Sequence, residues 1–376
     1  MTALARDAGQ LLSVGFEGPS LPDELRARIA ASEVGSVMLF RPNIEAPAQV
    51  ARLVGDIRAA APSGSGRAPF LVAIDQEGGL VQRLRAPLTV WPDMLSVGAA
   101  GDPVTTEAVG RALGDELAAL GIGWDFAPVL DVHTNPANPV IGNRAFGTTP
   151  EAVASHGLAF WRGLRAAGLV GCGKHFPGHG DTRADSHLEL PVVDHGLERL
   201  RRIELAPFAA AARAGLEAIM TAHVLFPALD GERPATLSRA ILTGLLRDEL
   251  GFRGVIVSDD LGMKAVADRY PIEELAVMAV AAGADVLIIR EPVERQRRAH
   301  EALVRAAERD SELRRRVEES AARMAALSAA CRVGPPLIDP AALAARLGTA
   351  AHTALAARFP KVDPRSPAAS SPVADA

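Results

Sequence analysis

The chain has 376 residues, of which 48% are hydrophobic and 23% are charged, and its formal net charge is −5. This length and hydrophobic content predict one large core, and the slightly acidic balance lacks the basic field of a protein that binds nucleic acid. The two cysteines exclude a disulfide framework. No uncharged apolar run reaches the roughly 18 residues of a membrane span, so we expect no membrane contact.

Short apolar runs with β propensity alternate along the chain with longer amphipathic stretches. The runs lie at residues 11–16, 36–40, 70–74, 124–130, 170–173, 218–222, 255–257 and 286–289. The helical stretches between them include residues 105–120, 150–167, 197–214, 238–250 and 272–282. Eight units of strand followed by helix favour an α/β fold of the (β/α)8 TIM-barrel type over an open doubly wound sheet.

The strand and helix pattern ends near residue 333, where Gly334-Pro335-Pro336 interrupts the chain. We therefore predict a single catalytic domain over residues 1–333 and a C-terminal extension over residues 334–376. The extension contains one more helical stretch at 341–357, and its Pro, Ser and Ala-rich tail from about Lys361 is predicted to be disordered.

Polar side chains follow six of the predicted strands directly, at the end where TIM barrels carry their active sites. They are Asp75, Gln76, Glu77 and Arg83; Asp131 and His133, with Arg144 in the next loop; Lys174 and His175; His223; Asp259 and Asp260; and Arg290. So many polar groups at one end of a barrel would be costly to bury without a ligand. The pattern predicts a pocket for a polar small molecule.

Structural roles remain open for several of these residues. Arg83 and Arg144 could form salt bridges at a rim, and Asp131 with His133 could be a structural hydrogen-bonded pair. His223 is as compatible with a satisfied core histidine as with a ligand. Two tryptophans, Trp124 and Trp161, are predicted to lie in the core, and His195 at the surface.

The segment from Lys174 to His195 is rich in imidazole and carboxylate groups and is interrupted by glycine and proline, which indicates a loop rather than a packing element. These groups are His175, His179, Asp181, Asp185, His187 and His195. All of these except His195 could supply ligands to a metal ion from one loop, although their spacing matches no short zinc signature. A metal-dependent hydrolase is therefore one hypothesis for this chain.

Four motifs resemble those of the family 3 glycoside hydrolases and occur in that family's order. They are Asp75-Gln76-Glu77-Gly78-Gly79 with Gln82-Arg83, Gly142-Asn143-Arg144-Ala145-Phe146-Gly147, the segment 174–187, and Val257-Ser258-Asp259-Asp260-Leu261 with Met263. Within the family, the chain is similar to the bacterial β-N-acetylglucosaminidases. It departs from them at Leu80, Asn143 and Gly262, none of which is given a catalytic role here.

The resemblance implies a retaining mechanism with a covalent glycosyl-enzyme intermediate. It assigns the nucleophile to Asp259 and the acid/base to His187, with Asp185 as the partner of that histidine. Residues that would hold the sugar are Asp75, Arg83, Arg144, Lys174 and His175. The implied reaction releases terminal N-acetylglucosamine, with peptidoglycan-derived muropeptides as the suggested substrate, and needs no cofactor or metal.

Two structural expectations accompany these assignments. Consecutive strand residues point to opposite faces, so we expect only one of Asp259 and Asp260 to face the pocket. Gly178 and Gly180 are expected to let their loop swing and bring His187 over the glycosidic oxygen.

Other functions stay open from the sequence alone. They are the metal-dependent hydrolase, a sugar-binding protein that has lost catalysis, and a phosphorylase or β-glucosidase of the same fold. The first ten residues lack a continuous apolar segment, so we expect no secretory signal and a cytoplasmic protein. The expected partner is a carbohydrate rather than nucleic acid or membrane, and we expect a monomer.

Overall fold

A computed structural model of the protein describes residues 1–62, 69–186, 188–359 and 361–365. Its centre is a closed barrel of eight parallel strands in the order β1-β2-β3-β6-β7-β8-β9-β10, with β10 pairing back onto β1. The barrel strands are β1 (Leu12–Val14), β2 (Ser36–Leu39), β3 (Leu71–Ile74), β6 (Trp124–Asp125), β7 (Val170–Phe176), β8 (Ala218–Thr221), β9 (Val255–Asp260) and β10 (Val286–Ile289). An antiparallel hairpin of β4 (Gln76–Gly78) and β5 (Val81–Gln82) follows β3. Every predicted strand is present, so the predicted barrel is confirmed.

Helices surround the barrel. They are α1 (Ala3–Gln10), α2 (Asp23–Ala30), α3 (Pro47–Ala60), α4 (Met94–Ala99), α5 (Pro103–Ala119), α6 (Pro150–Ala166), α7 (Leu197–Arg202), α8 (Ala206–Ala214), a helix of π type (Ala240–Glu249), α9 (Lys264–Ala267), α10 (Ile272–Ala282), α11 (Val293–Arg309), α12 (Ser311–Ala330), α13 (Pro340–Ala344) and α14 (Ala350–Ala356), with 3-10 turns at Arg41–Asn43, Gly142–Arg144 and Ala235–Leu237. No helix in the described ranges has both the length and the apolarity needed to cross a membrane.

Side-chain caps explain where two of the long helices, α5 and α6, begin. Asp102 accepts hydrogen bonds from Val104 N and Thr105 N at the start of α5, and Thr149 accepts one from Ala152 N at the start of α6. Both caps precede a proline at the first helical position, where a missing N–H has no cost.

The barrel strands are buried on both faces, as expected for a parallel sheet covered by helices. Trp124 and Phe126 pack edge to face with ring centroids 4.8 Å apart, and Phe176 packs on Phe208 of α8. Trp124 and Trp161 are both buried, which confirms their predicted place in the core.

The amino end of the barrel is held by a buried acid, Asp285, which lies just before β10 and is 0% exposed. Its Oδ2 accepts hydrogen bonds from Arg247 Nη2 and Ile256 N, and its Oδ1 accepts from Ser320 Oγ and from two arginines of α12. The arginines are Arg316 and Arg323. Asp285 therefore joins the π-type helix and α12 to the barrel strands β9 and β10.

The C-terminal extension packs on the barrel in the range that the structure describes. Gly348 N and His352 Nδ1 both contact Glu116 Oε1 of α5, at 2.8 and 3.2 Å. Further along, Val362 N donates to Ser96 Oγ. The predicted helical stretch is two short helices, α13 and α14, and the disorder predicted for the tail from about Lys361 stays a prediction. Residues 366–376 lie outside the described ranges, and the domain boundary at 333 stays a prediction.

Candidate active site

A cavity of about 290 Å³ opens at the carboxyl end of the barrel strands. Its size lies near the lower end of the roughly 300–1,000 Å³ typical of small-molecule sites. Six residues with predicted site roles line it: Asp75, Arg83, Arg144, Lys174, His175 and Asp259. These residues come from segments between β3 and β9, so the fold brings together side chains that lie far apart in the sequence.

Two buried cations share one buried acid on one side of this cavity. Lys174 Nζ lies 2.7 Å from Asp75 Oδ1 and 2.6 Å from Glu77 Oε1. Arg144 donates two parallel hydrogen bonds of 2.8 Å to the same Glu77, from Nε to Oε2 and from Nη2 to Oε1. Such bidentate pairs fix the guanidinium plane as well as its position.

These groups stay charged because each stabilises the other's ionised form. Burial by itself would raise the pKa of Glu77, but Arg144 and Lys174 hold it well below its ordinary value. Burial would likewise lower the pKa of Lys174, and Asp75 with Glu77 raise it instead. Asp75 also has a lowered pKa, because Lys174 and Arg83 outweigh its burial. The site therefore presents fixed charges to a ligand at neutral pH.

The β4–β5 hairpin positions Arg83, whose Nη2 lies 3.2 Å from Asp75 Oδ2. Two glutamines of the motif stabilise the hairpin: Gln76 Nε2 and Gln82 Nε2 both donate to Leu84 O at 2.8 Å. Gly79 in the turn has a φ of +58°, and a Cβ there would lie 2.8 Å from Asp93 Cα. Glycine is required at this turn for both reasons.

Asp131 does not pair with His133, as one reading of the sequence had suggested. Its carboxylate accepts from His175 Nδ1 at 2.7 Å, from His175 N at 3.2 Å and from His179 N at 2.6 Å. His133 Nε2 instead donates to Pro364 O at 3.2 Å. Asp131, in the segment that follows β6, thus supports the loop that follows β7, because the two strands are neighbours in the barrel.

The first half of that loop is tightly packed. A Cβ on Gly180 would lie 1.8 Å from Val132 O, and one on Gly178 would lie 2.9 Å from Glu204 Cβ. His179 contacts Thr182 Oγ1 with Nδ1 and a serine hydroxyl with Nε2, and burial lowers its pKa to about 4. Close approach therefore accounts for both glycines, and the predicted hinge at Gly178 and Gly180 finds no support in this packing.

The second half of the loop contains the predicted acid/base pair. Asp185 is partly exposed, and its neighbour Ser186 lines the cavity. His187 lies outside the described residues. The role of the pair remains a prediction.

One group of imidazole and carboxylate side chains in the described ranges is close enough to hold a metal ion, namely Asp181, His195 and Glu204. Arg199 Nη2 already lies 2.9 Å from Asp181 Oδ2 and 3.6 Å from Glu204 Oε1. His195, predicted at the surface, is partly buried against Asp181. Of these three residues, Asp181 is the one that also belongs to the metal hypothesis. Arg199 supplies a positive charge next to both acids of the group.

Asp259 and Asp260 end β9, and both line the cavity, so the expectation that only one would do so is wrong. Their environments nevertheless differ. Asp260 Oδ1 accepts from Gly262 N at 2.8 Å and from Arg290 N at 3.4 Å, and burial, helped by the charge of Asp259, raises the pKa of Asp260. Asp259 Oδ1 accepts only from the adjacent Asp260 N at 2.8 Å, and its Oδ2 has no hydrogen-bond partner among the described residues.

His223 is fully buried, does not line the cavity and is a satisfied core histidine. Its Nδ1 contacts Thr236 Oγ1 at 2.8 Å and its Nε2 contacts Asp260 O at 3.0 Å. Through its contact with Asp260 O, His223 therefore supports the end of β9 from outside the cavity.

Sequence reasoning gave no role to Glu77, Phe40 or Arg41, which also line the cavity. Glu77 stands in a quoted motif, and the need of two buried cations for an anion is the signal that could have identified it. Phe40 and Arg41 follow β2 and would have been found by extending the strand-end rule to that strand. Phe40 packs under the guanidinium of Arg290, with 4.8 Å from Cζ to the ring centroid.

Comparison with known proteins agrees with this geometry. Residues 3–327 match the glycosyl hydrolase family 3 N-terminal domain. Beta-hexosaminidase A of Pseudoalteromonas piscicida is 41% identical over 287 residues, which cover 72% of this chain and 48% of that protein, so the chain spans about half its length. Beta-hexosaminidase of Neisseria meningitidis serogroup C (strain 053442) is 41% identical over 277 residues, covering 72% of this chain and 74% of the relative.

Solved structures give the same result. A family 3 β-N-acetylglucosaminidase from Paenibacillus sp. str. FPU-7 superposes with a TM-score of 0.85 and 44% identity over 95% of this chain and 68% of its own. NagZ from Neisseria gonorrhoeae, solved in complex with N-trifluoroacetyl-D-glucosamine, gives a TM-score of 0.76 and 32% identity over 93% of this chain and 96% of its own.

A closed TIM barrel with a charged cavity at the carboxyl end of its strands is an architecture shared by many enzymes, and the comparisons show that this chain belongs to glycosyl hydrolase family 3. Within that family, the similar proteins are named β-hexosaminidases or β-N-acetylglucosaminidases. The predicted family and the predicted enzyme class, a glycoside hydrolase of the β-N-acetylhexosaminidase type, are confirmed.

Proposed function

We propose that the chain is a retaining exo-β-N-acetylglucosaminidase that releases terminal N-acetylglucosamine through a covalent intermediate on Asp259. The observation that carries the proposal is the joint placement of Asp259 and the Lys174, Arg144 and Glu77 network in one small cavity. Asp259 Oδ2, which has no hydrogen-bond partner in the part of the chain that the structure describes, is available for attack, while a rigid set of donors can hold the sugar in position.

The sugar would be held by hydrogen bonds to the charged residues that line the cavity. Asp75 can accept from two hydroxyl groups, and Lys174, Arg83 and Arg144 can donate to hydroxyl or acylamino oxygens. The N-acyl glucosamine bound by the Neisseria gonorrhoeae relative supports an acylamino sugar as the ligand class. The small cavity volume supports recognition of a single terminal residue.

Asp259 would attack the anomeric carbon, and Asp185 with His187 would move the proton. A histidine can act first as acid and then as base near neutral pH. The Asp185 carboxylate would fix the tautomer of the imidazole. Because residues 178–182 are tightly packed, any closure of the loop over the substrate would involve residues beyond Thr182.

Substitution of His187 separates this role from simple binding. His187→Ala should lower kcat by about 10²-fold or more on glycosides with poor leaving groups and much less on those with good ones. With a good leaving group the intermediate should accumulate, and mass spectrometry of digested protein should find Asp259 carrying one sugar. Equal losses on both kinds of substrate would contradict the assignment.

The natural substrate that we propose is a muropeptide derived from peptidoglycan, processed in the cytoplasm during cell-wall recycling. The support for this is the similarity to the bacterial relatives named above. An assay with purified muropeptides, followed by chromatography of released N-acetylglucosamine, would test it.

The central experiment compares hydrolysis of an aryl β-N-acetylglucosaminide with that of the matching aryl β-glucoside. The wild type should prefer the acylamino substrate, and Asp259→Ala should lose at least about 10³-fold in kcat. Asp115→Ala, an exposed aspartate on α5, is the matched control and should keep full activity. Preference for the glucoside, or retained activity of Asp259→Ala, would overturn the proposal, and sugar 1-phosphate formed in phosphate buffer would indicate a phosphorylase.

A further inference from the structure

A second carboxylate–imidazole pair lies in the site besides the predicted Asp185 and His187. Asp131 is fully buried, and its Oδ2 lies 2.7 Å from His175 Nδ1. Two backbone N–H groups, of His175 and His179, also donate to the Asp131 carboxylate. Three donors around a buried acid leave its orientation no freedom.

The other nitrogen of the same imidazole faces a group that can only donate. His175 Nε2 lies 3.4 Å from Arg144 Nη2, and a guanidinium has no acceptor. Arg144 cannot turn away, because Glu77 binds it at Nε and at Nη2. A proton on Nε2 would point at a fixed cation, whereas a lone pair there is stabilised by it.

We propose that Asp131 is a positioning residue that keeps His175 in the tautomer protonated at Nδ1, so that Nε2 offers a lone pair to a hydroxyl group of the sugar. This inference rests on the proposed function and names how one sugar contact is made. The contact to Arg144 is long, so a hydroxyl at normal hydrogen-bond distance can take over the lone pair. His175 then has no proton to give to a leaving group, and acid catalysis belongs to another residue.

The arrangement also provides hydrogen-bond acceptors on a side of the cavity that is rich in donors. Lys174, Arg83 and Arg144 supply only donors, and a sugar hydroxyl must donate as well as accept to be fully satisfied. Asp75 and the His175 lone pair are the acceptors that complete the set. The charge of the buried Asp131 is stabilised by its three donors, His175 Nδ1, His175 N and His179 N, and none of them requires a charged imidazole.

The tautomer can be read directly by ¹⁵N NMR on protein labelled at its nine histidines, with His175→Gln used to assign the signal. The ligand-free wild type at neutral pH should show Nδ1 protonated and Nε2 unprotonated. A protonated Nε2 would overturn the proposal. This measurement needs no substrate, so it stands apart from the proposed function, which fails if the wild type does not cleave the aryl β-N-acetylglucosaminide.

Three variants test the consequence for binding. Asp131→Asn can present an amide N–H to Nδ1, so the Nε2–H tautomer should become populated in the spectrum and kcat/KM should fall about 10²-fold or more, mostly through KM. His175→Gln places an oxygen acceptor near the position of Nε2 and should keep KM within about tenfold of the wild type, whereas the shorter His175→Asn should not. Equal KM values for these two variants, or an unchanged tautomer in a folded, weakened Asp131→Asn, would contradict the inference.

Discussion

Two buried networks of charge lie at opposite ends of the same barrel, and the one at the carboxyl end lines the cavity of the candidate active site. At the amino end, Asp285 uses both oxygens on donors from the surrounding elements. At the carboxyl end, Glu77 is almost as deeply buried, with 1% of its side chain exposed, but its partner Arg144 lines the cavity. The chemistry of the two networks is alike, so burial of charge by itself does not identify a functional site.

The two networks differ in the role of the side chains that donate to the buried acid. Arg247, Arg316 and Arg323 join helices to the barrel, and their contacts contribute to stability. Arg144 and Lys174 are held by Glu77 so that a ligand can meet them in a fixed geometry, which is the usual way in which a binding site limits reorganisation. Separate measurements of stability and activity should therefore distinguish the networks.

The largest effect is expected for Glu77→Gln, because it affects both properties. Removing this charge leaves the buried Arg144 without its acid and Lys174 with Asp75 alone, and it should lower the free energy of unfolding by about 3–5 kcal/mol. The misplaced cations should also reduce kcat/KM by about 10²-fold. Urea unfolding and steady-state kinetics at a temperature where the variant is folded would measure the two effects. A folded variant with normal kcat/KM would remove the functional distinction between the networks.

Asp285→Asn is the matched substitution at the amino end. It also leaves buried arginine charge without its acid, so we expect a similar loss of about 3–5 kcal/mol in the free energy of unfolding. Activity per folded molecule should not change, since none of the Asp285 partners named above lines the cavity. Denaturant curves and kcat/KM in the same buffer would check this, and a large loss of kcat/KM in the folded variant would show that the two ends are coupled.

The acid limb of the stability profile gives a further contrast. The pKa of Glu77 in the folded chain lies below its unfolded value, so its ion pairs stabilise the protein above about pH 4 and this stabilisation is lost as the pH falls toward the folded pKa. The free energy of unfolding of the wild type should therefore decrease below about pH 5. The same curve for Glu77→Gln should be flatter, and parallel curves would contradict the assigned direction.

The smallest effect is expected for Arg323→Gln. Its side chain is 30% exposed and makes one bond of 3.0 Å to Asp285, which has other donors. Solvent screening limits such a contact to about 1 kcal/mol or less. Thermal unfolding should show a small shift with unchanged kinetics, and a loss as large as that of Asp285→Asn would mean that this arginine holds the network together.

Much of the fold could be predicted because its signal is local. Each barrel strand contains a short apolar run, and two of the long helices, α5 and α6, begin at their own caps, Asp102 and Thr149. The structure of the C-terminal extension was less predictable from the sequence. Its helices are short, and their place on Glu116 depends on a contact more than two hundred residues away.

Sequence by itself determined the family, the eight strands and the set of polar residues that end at one face of the barrel, because strand alternation and motif order are written along the chain. Tertiary structure decided which of those residues act together. It paired Asp131 with His175 rather than with His133, gave both cations to Glu77, and placed Asp259 and Asp260 on one cavity with different partners. The physical reason is that hydrogen bonds across neighbouring strands depend on barrel order and distance in space, neither of which can be read from spacing in the sequence.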